Sequence, residues 1–340
     1  MANMNLLVPG TGGITLMNNL GEDLGYPVKM QIGVLSEGLL GLSADELIDL
    51  LSMDHRPGQL APAKTSLKPG TSIRPGHVLQ VAYNQVPPSF NHFLYDWRAD
   101  IRYSAGQLLD FLRERRAADG RWNLVGHSQG GLLIVAASKL LSDRAAFAEL
   151  VASVVLVGTP LAGTINAAHA LIEGDQMGSG ATAALQTIVR TWPSLYQMMP
   201  AWSAVVDGSG QPAPRERQLL APSAWDGYDG ISDDLLQRCR ELQLLLRDPF
   251  GWMEGDINVR ILMARNRDTD VDLQRSNDRL TSTPSTRQLG DTLVPHDQTL
   301  SWVGDFVRQF VLTLEASCNE HSMLLDDPGV MGRVTEVVRP

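Results

Sequence analysis

Short apolar runs alternate with segments of helical periodicity along this chain. Residues 5–8, 151–157 and 257–264 are rich in aliphatic and β-branched side chains, as in strands that are covered on both faces. After Asp100, apolar residues recur every three or four positions, which indicates a helix with one buried face. Strands that alternate with helices predict an α/β protein with a mostly parallel sheet flanked by helices.

Two local signals predict further elements early in the chain. Ser43 and Glu46 have the spacing of a capping box, so a helix is predicted from there through Leu51. The glycine-rich residues 9–13 end the first strand, and a short helix is predicted near residues 14–20.

A long interval between two predicted strands, residues 161–255, breaks the alternation. It is far longer than an ordinary connection, and four of the seven tryptophans lie in it. We interpret it as a mainly helical cap inserted into a core formed by residues 1–160 and 256–340. Its apolar side chains form a small core of their own or line a substrate pocket, and the two interpretations are compatible. The residues predicted to line the pocket are Trp192, Leu195, Tyr196, Met198 and Met199.

The charge balance excludes some classes of partner. The 340 residues include 38 acidic and 28 basic side chains, and a net charge of −10 disfavours nucleic acid and gives no general attraction to anionic lipid.

The two cysteines, Cys239 and Cys318, are too few for a disulfide framework and fit a reducing compartment. No secretory signal or membrane-spanning apolar run is visible, so the chain is expected to be soluble and cytoplasmic unless a leader was removed. No metal or organic cofactor is expected, and the oligomeric state is left open.

Residues 126–131 read Gly-His-Ser-Gln-Gly-Gly and form the most informative motif of the chain. An apolar strand leads into the motif, and an apolar helix-forming run, residues 131–141, follows it. A serine at a sharp strand-to-helix turn needs a strained backbone, and the neighbouring glycines remove side chains that would clash there. The pattern also occurs by chance in glycine-rich turns, but the strand and helix around it favour Ser128 as a nucleophile.

A serine nucleophile needs a base, which is usually a histidine held by a carboxylate. The expected order along the chain is serine, acid, histidine, so the histidines that precede Ser128 are poor candidates. His169 lies in the predicted cap, which leaves His296 and His321. We favour His321, because His296 shares a loop with the best acid candidate and could hardly reach Ser128 from there.

The best candidate for the acid is Asp291, in the turn-forming sequence Gly-Asp-Thr-Leu-Val-Pro of residues 290–295. Asp268 and Asp270, which follow the strand predicted at residues 257–264, are alternatives on position alone. Asp96 precedes the nucleophile and is better explained as a partner of a neighbouring arginine or of loop amides.

An acyl-transfer site also needs donors for the oxyanion. The main-chain N–H of Gln129, directly after the nucleophile, is one candidate. The N–H of Thr11, in the glycine-rich residues 9–13, is the other. The alternative role for this loop is a dinucleotide or phosphate cradle, but its glycine spacing matches neither pattern.

Seven short motifs occur in an order that resembles the lecithin:cholesterol acyltransferase-like branch of the α/β-hydrolase fold, which includes lipases, phospholipases A and acyltransferases. The resemblance implies Ser128 as nucleophile, Asp291 as acid and His321 as base, with Thr11 as an oxyanion donor. The family usually has Gly-Asp-Gly-Thr-Val-Pro around the acid, and the second glycine is absent here, which leaves the role of the acid intact. The disulfide-tied lid of the secreted members is not visible either. The motifs lie at residues 7–10, 95–98, 126–131, 158–163, 193–196, 290–295 and 320–325.

We therefore expect a serine hydrolase that cleaves carboxylic esters with an apolar acyl chain through an acyl-enzyme, in the manner of a lipase or phospholipase A. An acyltransferase that passes the acyl group to an alcohol is the first alternative. A ligand-binding protein on an inactive hydrolase scaffold is disfavoured, because no member of the triad is missing. The expected partners are a lipid or another apolar ester and, through the cap, transient contact with a membrane surface.

Overall fold

The computed structural model describes residues 3–18, 23–26, 43–73, 83–115, 120–141, 144–174, 183–247, 257–276, 279–281, 286–314 and 320–338. The first half contains β1 (Met4–Val8), β2 (Ile14–Asn18), β3 (Asp23–Tyr26), α1 (Ala44–Leu51), β4 (Met53–Asp54), β5 (Lys64–Thr65), β6 (Leu67–Ile73), β7 (Asn91–His92), α2 (Ile101–Glu114), β8 (Trp122–His127), α3 (Gln129–Lys139), α4 (Arg144–Leu150) and β9 (Val151–Val157). The second half begins with α5 (Ile165–Glu173), α6 (Ala183–Val189), α7 (Pro193–Gln197), β10 (Val205–Val206) and α8 (Asp233–Leu246). It continues with β11 (Asn258–Ala264), β12 (Arg267–Asp270), β13 (Leu273–Ser276), β14 (Arg279–Thr281), β15 (Arg287–Gly290), α9 (His296–Arg308), β16 (Val311–Leu314) and α10 (Pro328–Val337).

The central sheet has six strands in the order β16-β11-β9-β8-β1-β7, and every neighbouring pair in it is parallel. The predicted mostly parallel sheet is therefore confirmed. Strand β8, which leads to Ser128, lies in the middle of the sheet and is buried along its whole length. Its side chains alternate between two apolar layers, with Leu124 on the side of α2 and α3 and Val125 on the side of α10.

In the described residues between β9 and β11, helices predominate over strands. The chain leaves the sheet after Val157 and returns on the neighbouring parallel strand, so a long excursion ends next to where it began. Gln197 and Ser194 of this segment bind the main chain around α2: the side-chain oxygen of Gln197 accepts the N–H of Ile101 at 2.8 Å, and the N–H of Ser194 donates to Arg98 at 3.3 Å. The excursion is thus bound to the sheet domain at several points.

Two predictions of local structure can be compared directly with the fold. The capping box is confirmed, since Ser43 accepts the N–H of Glu46 and the Glu46 carboxylate accepts the N–H of Ser43 at 2.7 Å. The short helix predicted near residues 14–20 is wrong, because Ile14–Asn18 is a strand paired antiparallel with β3 and β6. The partner strand β6 comes about fifty residues later, so its effect on residues 14–18 is not encoded locally.

Among the residues that the structure describes, no helix is both long enough and apolar enough to cross a bilayer. Cys239 is a free, buried thiol on α8. Cys318 lies outside the described residues.

Candidate active site

Ser128 lies between β8 and α3 with φ 53° and ψ −126°, a conformation that side-chain-bearing residues rarely adopt. Its main chain is held on both sides, because its N–H donates to Val157 at 2.9 Å and its carbonyl accepts the N–H of Gly131 at 3.0 Å. A Cβ atom at Gly126 would lie 2.6 Å from the Cα of Gly131, so a side chain there would push the helix away from the strand. The glycines around the serine are therefore required by the close approach of the two elements.

The side chains of Ser128, His321 and Asp291 form a continuous chain of hydrogen bonds. The Nε2 of His321 lies 2.8 Å from the Oγ of Ser128, and its Nδ1 lies 2.8 Å from an Oδ of Asp291. A carboxylate only accepts, so the proton of the neutral imidazole is on Nδ1 and Nε2 accepts the serine hydroxyl. His321 and Asp291 are 5 % and 1 % exposed, which excludes water from the carboxylate end of the chain.

The carboxylate of Asp291 is also fixed from its other side. Its second oxygen accepts the N–H groups of Leu293 and Val294 at 3.0 and 2.7 Å. The residue after it, Thr292, has φ 84° and stands where the family pattern has a glycine. The N–H of Thr292 donates to the hydroxyl of Thr269 at 3.0 Å, which helps to hold this turn.

The competing candidates for base and acid are engaged elsewhere. The two ring nitrogens of His296 bind Asp297 and the hydroxyl of Thr313, at 2.8 and 2.9 Å. Asp270 pairs with Arg287 at 2.9 Å, and Asp268 is exposed on β12. Asp96 pairs with the guanidinium of Arg98 at 2.7 Å, as the sequence indicated.

The two residues predicted to supply the oxyanion donors contact each other. The hydroxyl of Thr11 donates to the side-chain oxygen of Gln129 at 2.7 Å, and the amide nitrogen of the same side chain donates to Trp97 at 2.9 Å. Gly10 is close to the serine, since a Cβ atom on it would be 2.8 Å from the Cβ of Ser128. Gln129 is the first residue of α3, so its N–H has no acceptor within the helix. Within the described residues the Thr11 N–H likewise has no backbone acceptor.

Of the five residues predicted to line an acyl pocket, Met198 lies against the site, with its sulfur 3.9 Å from the Thr11 hydroxyl. The other four are buried in packing contacts. The indole N–H of Trp192 donates to Leu51 at 2.9 Å. Tyr196 donates to Arg190 at 2.9 Å, and the main-chain oxygen of Met199 accepts the side chain of Gln243 at 2.9 Å. Leu195 is 1 % exposed.

Two residues of the site were not recognised from the sequence. Chain order disfavours His127 as a base, yet its ring lies 5.2 Å from that of His321, and burial lowers its pKa to about 3. Tyr83 is hydrogen-bonded to both His127 and Gly10, and burial raises the pKa of its phenol. The position of His127 next to Ser128 was the available signal, whereas nothing local marks Tyr83.

No group of three or more metal-ligating side chains occurs in the part of the chain that the structure describes.

The sheet order and the strained strand-to-helix turn define an α/β-hydrolase fold. The profile of the lecithin:cholesterol acyltransferase family matches residues 91–299, more than half of the chain, and the chain belongs to this family. Membership places it among the hydrolases and acyltransferases of the lipase type. A comparison with curated protein sequences finds no match.

Several solved structures align with nearly the whole of this chain at low sequence identity. The crystal structure of the Tle4–Tli4 complex aligns over 99 % of both chains at 14 % identity, with a TM-score of 0.53. The mature lipase BlEst2 of Bacillus licheniformis aligns over 98 % of this chain and 91 % of its own at 11 % identity, with a TM-score of 0.40. A Listeria innocua protein aligns over 100 % of this chain and 94 % of its own at 11 % identity, with a TM-score of 0.36.

Proposed function

We propose that this protein is a serine hydrolase that cleaves carboxylic esters with an apolar acyl chain through an acyl-enzyme intermediate. The observation that carries the proposal is the hydrogen-bond chain from Ser128 through His321 to Asp291, with 2.8 Å at each step. Membership of a lipase and acyltransferase family supports the same chemistry.

In the first half of the reaction, His321 accepts the proton of Ser128 through Nε2 while the serine oxygen attacks the ester carbonyl. The imidazolium is stabilised by Asp291, whose oxygens also accept hydrogen bonds from the N–H groups of Leu293 and Val294. His321 then protonates the leaving alcohol. Water, activated by the same nitrogen, attacks the acyl-enzyme and releases the acid.

The negative charge of the tetrahedral intermediate is assigned to the N–H groups of Thr11 and Gln129. The positive end of α3 points at the same place, since Gln129 opens that helix. Their side-chain hydrogen bond of 2.7 Å holds the glycine-rich loop against the helix, so both donors are oriented before substrate binds.

The acyl chain is assigned to the side of the site on which Met198 lies. A thioether is apolar and adaptable, so it suits a flexible chain better than a rigid polar surface does. Residues 161–255 act as the cap over this side, and residues 1–160 and 256–340 act as the catalytic core. The remaining predicted pocket residues, Trp192, Leu195, Tyr196 and Met199, support the cap around Met198.

The test is a panel of p-nitrophenyl esters of graded chain length beside lipid vesicles, each with and without an added alcohol acceptor. Hydrolysis that grows with chain length supports the proposal, and acyl transfer to the alcohol in preference to water would favour an acyltransferase. Absence of turnover with every ester, together with no fluorophosphonate labelling of Ser128, would contradict both.

A further inference from the structure

A chain of buried hydrogen bonds outside the triad joins the glycine-rich loop to the base. The N–H of Gly10 donates to the phenolic oxygen of Tyr83 at 3.0 Å, and this oxygen lies 3.1 Å from the Nδ1 of His127. The Nε2 of His127 lies 3.0 Å from the main-chain oxygen of His321. Tyr83 and His127 are 4 % and 1 % exposed.

The direction of each hydrogen bond follows from the chemistry of its ends. The carbonyl oxygen of His321 can only accept, so the proton of the neutral His127 ring is on Nε2. Its Nδ1 is then an acceptor and receives the hydroxyl proton of Tyr83. The oxygen of Tyr83 remains free to accept the N–H of Gly10. Every polar atom of the two side chains is satisfied by this single arrangement.

We infer that Tyr83 and His127 are positioning residues that fix the oxyanion loop, residues 9–13, and the main chain of His321 relative to each other. Gly10 is the neighbour of Thr11, and His127 is the neighbour of Ser128. One chain of hydrogen bonds therefore connects residues that are adjacent to the nucleophile and to the proposed oxyanion donor with the main chain of the base. The inference rests on the proposed function, since it concerns how that site is held.

Neutrality makes His127 suitable for this role. A second charged imidazole beside His321 would oppose the charge that the base acquires in turnover. Burial, and to a smaller extent repulsion from His321, lowers the pKa of His127 to about 3. The ring therefore stays neutral while it donates to the main-chain carbonyl of His321. The phenol of Tyr83 stays protonated because burial raises its pKa.

The experiment compares Tyr83→Phe with Tyr228→Phe. Tyr228 is the matched control, because its hydroxyl also donates one bond and accepts one, both with Leu280 at 2.9 Å and outside the site. Rates are expressed per serine labelled by a fluorophosphonate, which removes the effect of any unfolded fraction. We expect Tyr83→Phe to lower kcat per labelled site by roughly 10- to 100-fold with KM changed less than about twofold, and Tyr228→Phe to leave both unchanged.

A second pair of variants tests His127. The amide of His127→Gln still donates near the position of Nε2, whereas His127→Leu cannot, so His127→Gln should retain the higher kcat per labelled site. Equal kcat in the wild type and Tyr83→Phe, or equal losses in the two His127 variants, would overturn the inference while leaving the proposed function intact. A wild-type protein that neither labels nor turns over any ester would overturn both.

Discussion

His321 is bound to Asp291 twice. Its main-chain N–H donates to the carbonyl oxygen of Asp291 at 2.8 Å, and its Nδ1 lies 2.8 Å from the carboxylate of the same residue. The two bonds fix the position of the backbone and the rotation of the ring, although 30 residues separate the partners. The proposed base therefore faces Ser128 through a rigid connection, and this geometry makes the role of each histidine testable.

Replacing His321 should lower esterase activity far more than replacing His296, the other candidate for the base. His321→Ala should remove esterase activity, whereas His296→Ala should keep most of it and lose some stability, because His296 binds Thr313 and Asp297 instead of the serine. Steady-state kinetics with thermal unfolding of both variants checks this. The reverse order of activities would make His296 the base.

Ser128→Ala should lower kcat by a factor on the order of 10⁴ to 10⁶, because the nucleophile is lost while the oxyanion donors remain. The variant should also lose fluorophosphonate labelling, as measured by intact-protein mass. Labelling that maps to a different serine, or activity that survives in the variant, would remove Ser128 from the mechanism.

Thr292→Gly should raise the free energy of unfolding by about 0.5 to 1 kcal/mol. A β-branched residue at φ 84° is strained, and glycine adopts this conformation without a Cβ clash, at some cost in unfolded-state entropy. The bond from the residue 292 N–H to Thr269 is retained, since it uses only the main chain. Thr292→Ala is the control, because alanine keeps the strain. Denaturant unfolding that ranks the glycine variant below the alanine variant would show that strain is not the larger effect.

His127 should make the protein less stable in acid. Its pKa is about 3 in the folded protein, against 6.5 for an unperturbed histidine, so the unfolded chain binds a proton first as the pH falls. The contribution of the neutral His127 to the free energy of unfolding is complete above pH 6.5. It is lost progressively between pH 6.5 and 3, at about 1.4 kcal/mol per pH unit, or about 2 kcal/mol by pH 5.

The comparison that isolates this effect is wild type against His127→Gln, with the free energy of unfolding measured from pH 7 to pH 5. Burial also lowers the pKa of His55, His92 and His169, but their contributions cancel between the two proteins. The free energy of unfolding should decrease less in His127→Gln than in the wild type over this pH range. Parallel curves would mean that His127 is protonated as easily in the folded state as in the unfolded chain.

Medium or long acyl esters should be preferred over acetate by at least roughly tenfold in kcat/KM, since each buried methylene contributes up to about 0.8 kcal/mol. Met198→Ala should flatten this dependence, because Met198 lies beside Thr11. Trp192→Ala should mainly lower Tm, because Trp192 packs edge-on against Trp97 and donates to Leu51. If Met198→Ala left the chain-length dependence of kcat/KM unchanged, Met198 and the cap around it would have no part in binding the acyl chain.

Features whose causes lie within a few neighbouring residues can be predicted from the sequence alone. The continuous apolar runs predicted strands β1, β9 and β11 of the parallel sheet, because both faces of those strands are buried. The Gly-x-Ser-x-Gly motif predicted the strained turn at Ser128, since only glycine neighbours permit it. The spacing of Ser43 and Glu46 predicted a helix start for the same kind of reason, namely hydrogen bonds within a few residues.

Contacts between residues that are far apart in the chain depend on the complete fold. Residues 14–18 form a strand because they pair with β6, which lies about fifty residues later in the chain. The local pattern of those five residues does not predict that pairing. Chain order and the family resemblance favour His321 as the partner of Ser128, but the 2.8 Å contact between residues 193 positions apart is set by the fold. The same packing sets His127 beside the base and Tyr83 beside His127, and it directs Trp192 into the protein interior while Met198 lies against Thr11. These choices depend on burial and pairing energies summed over the whole fold, which a linear pattern of residue types does not contain.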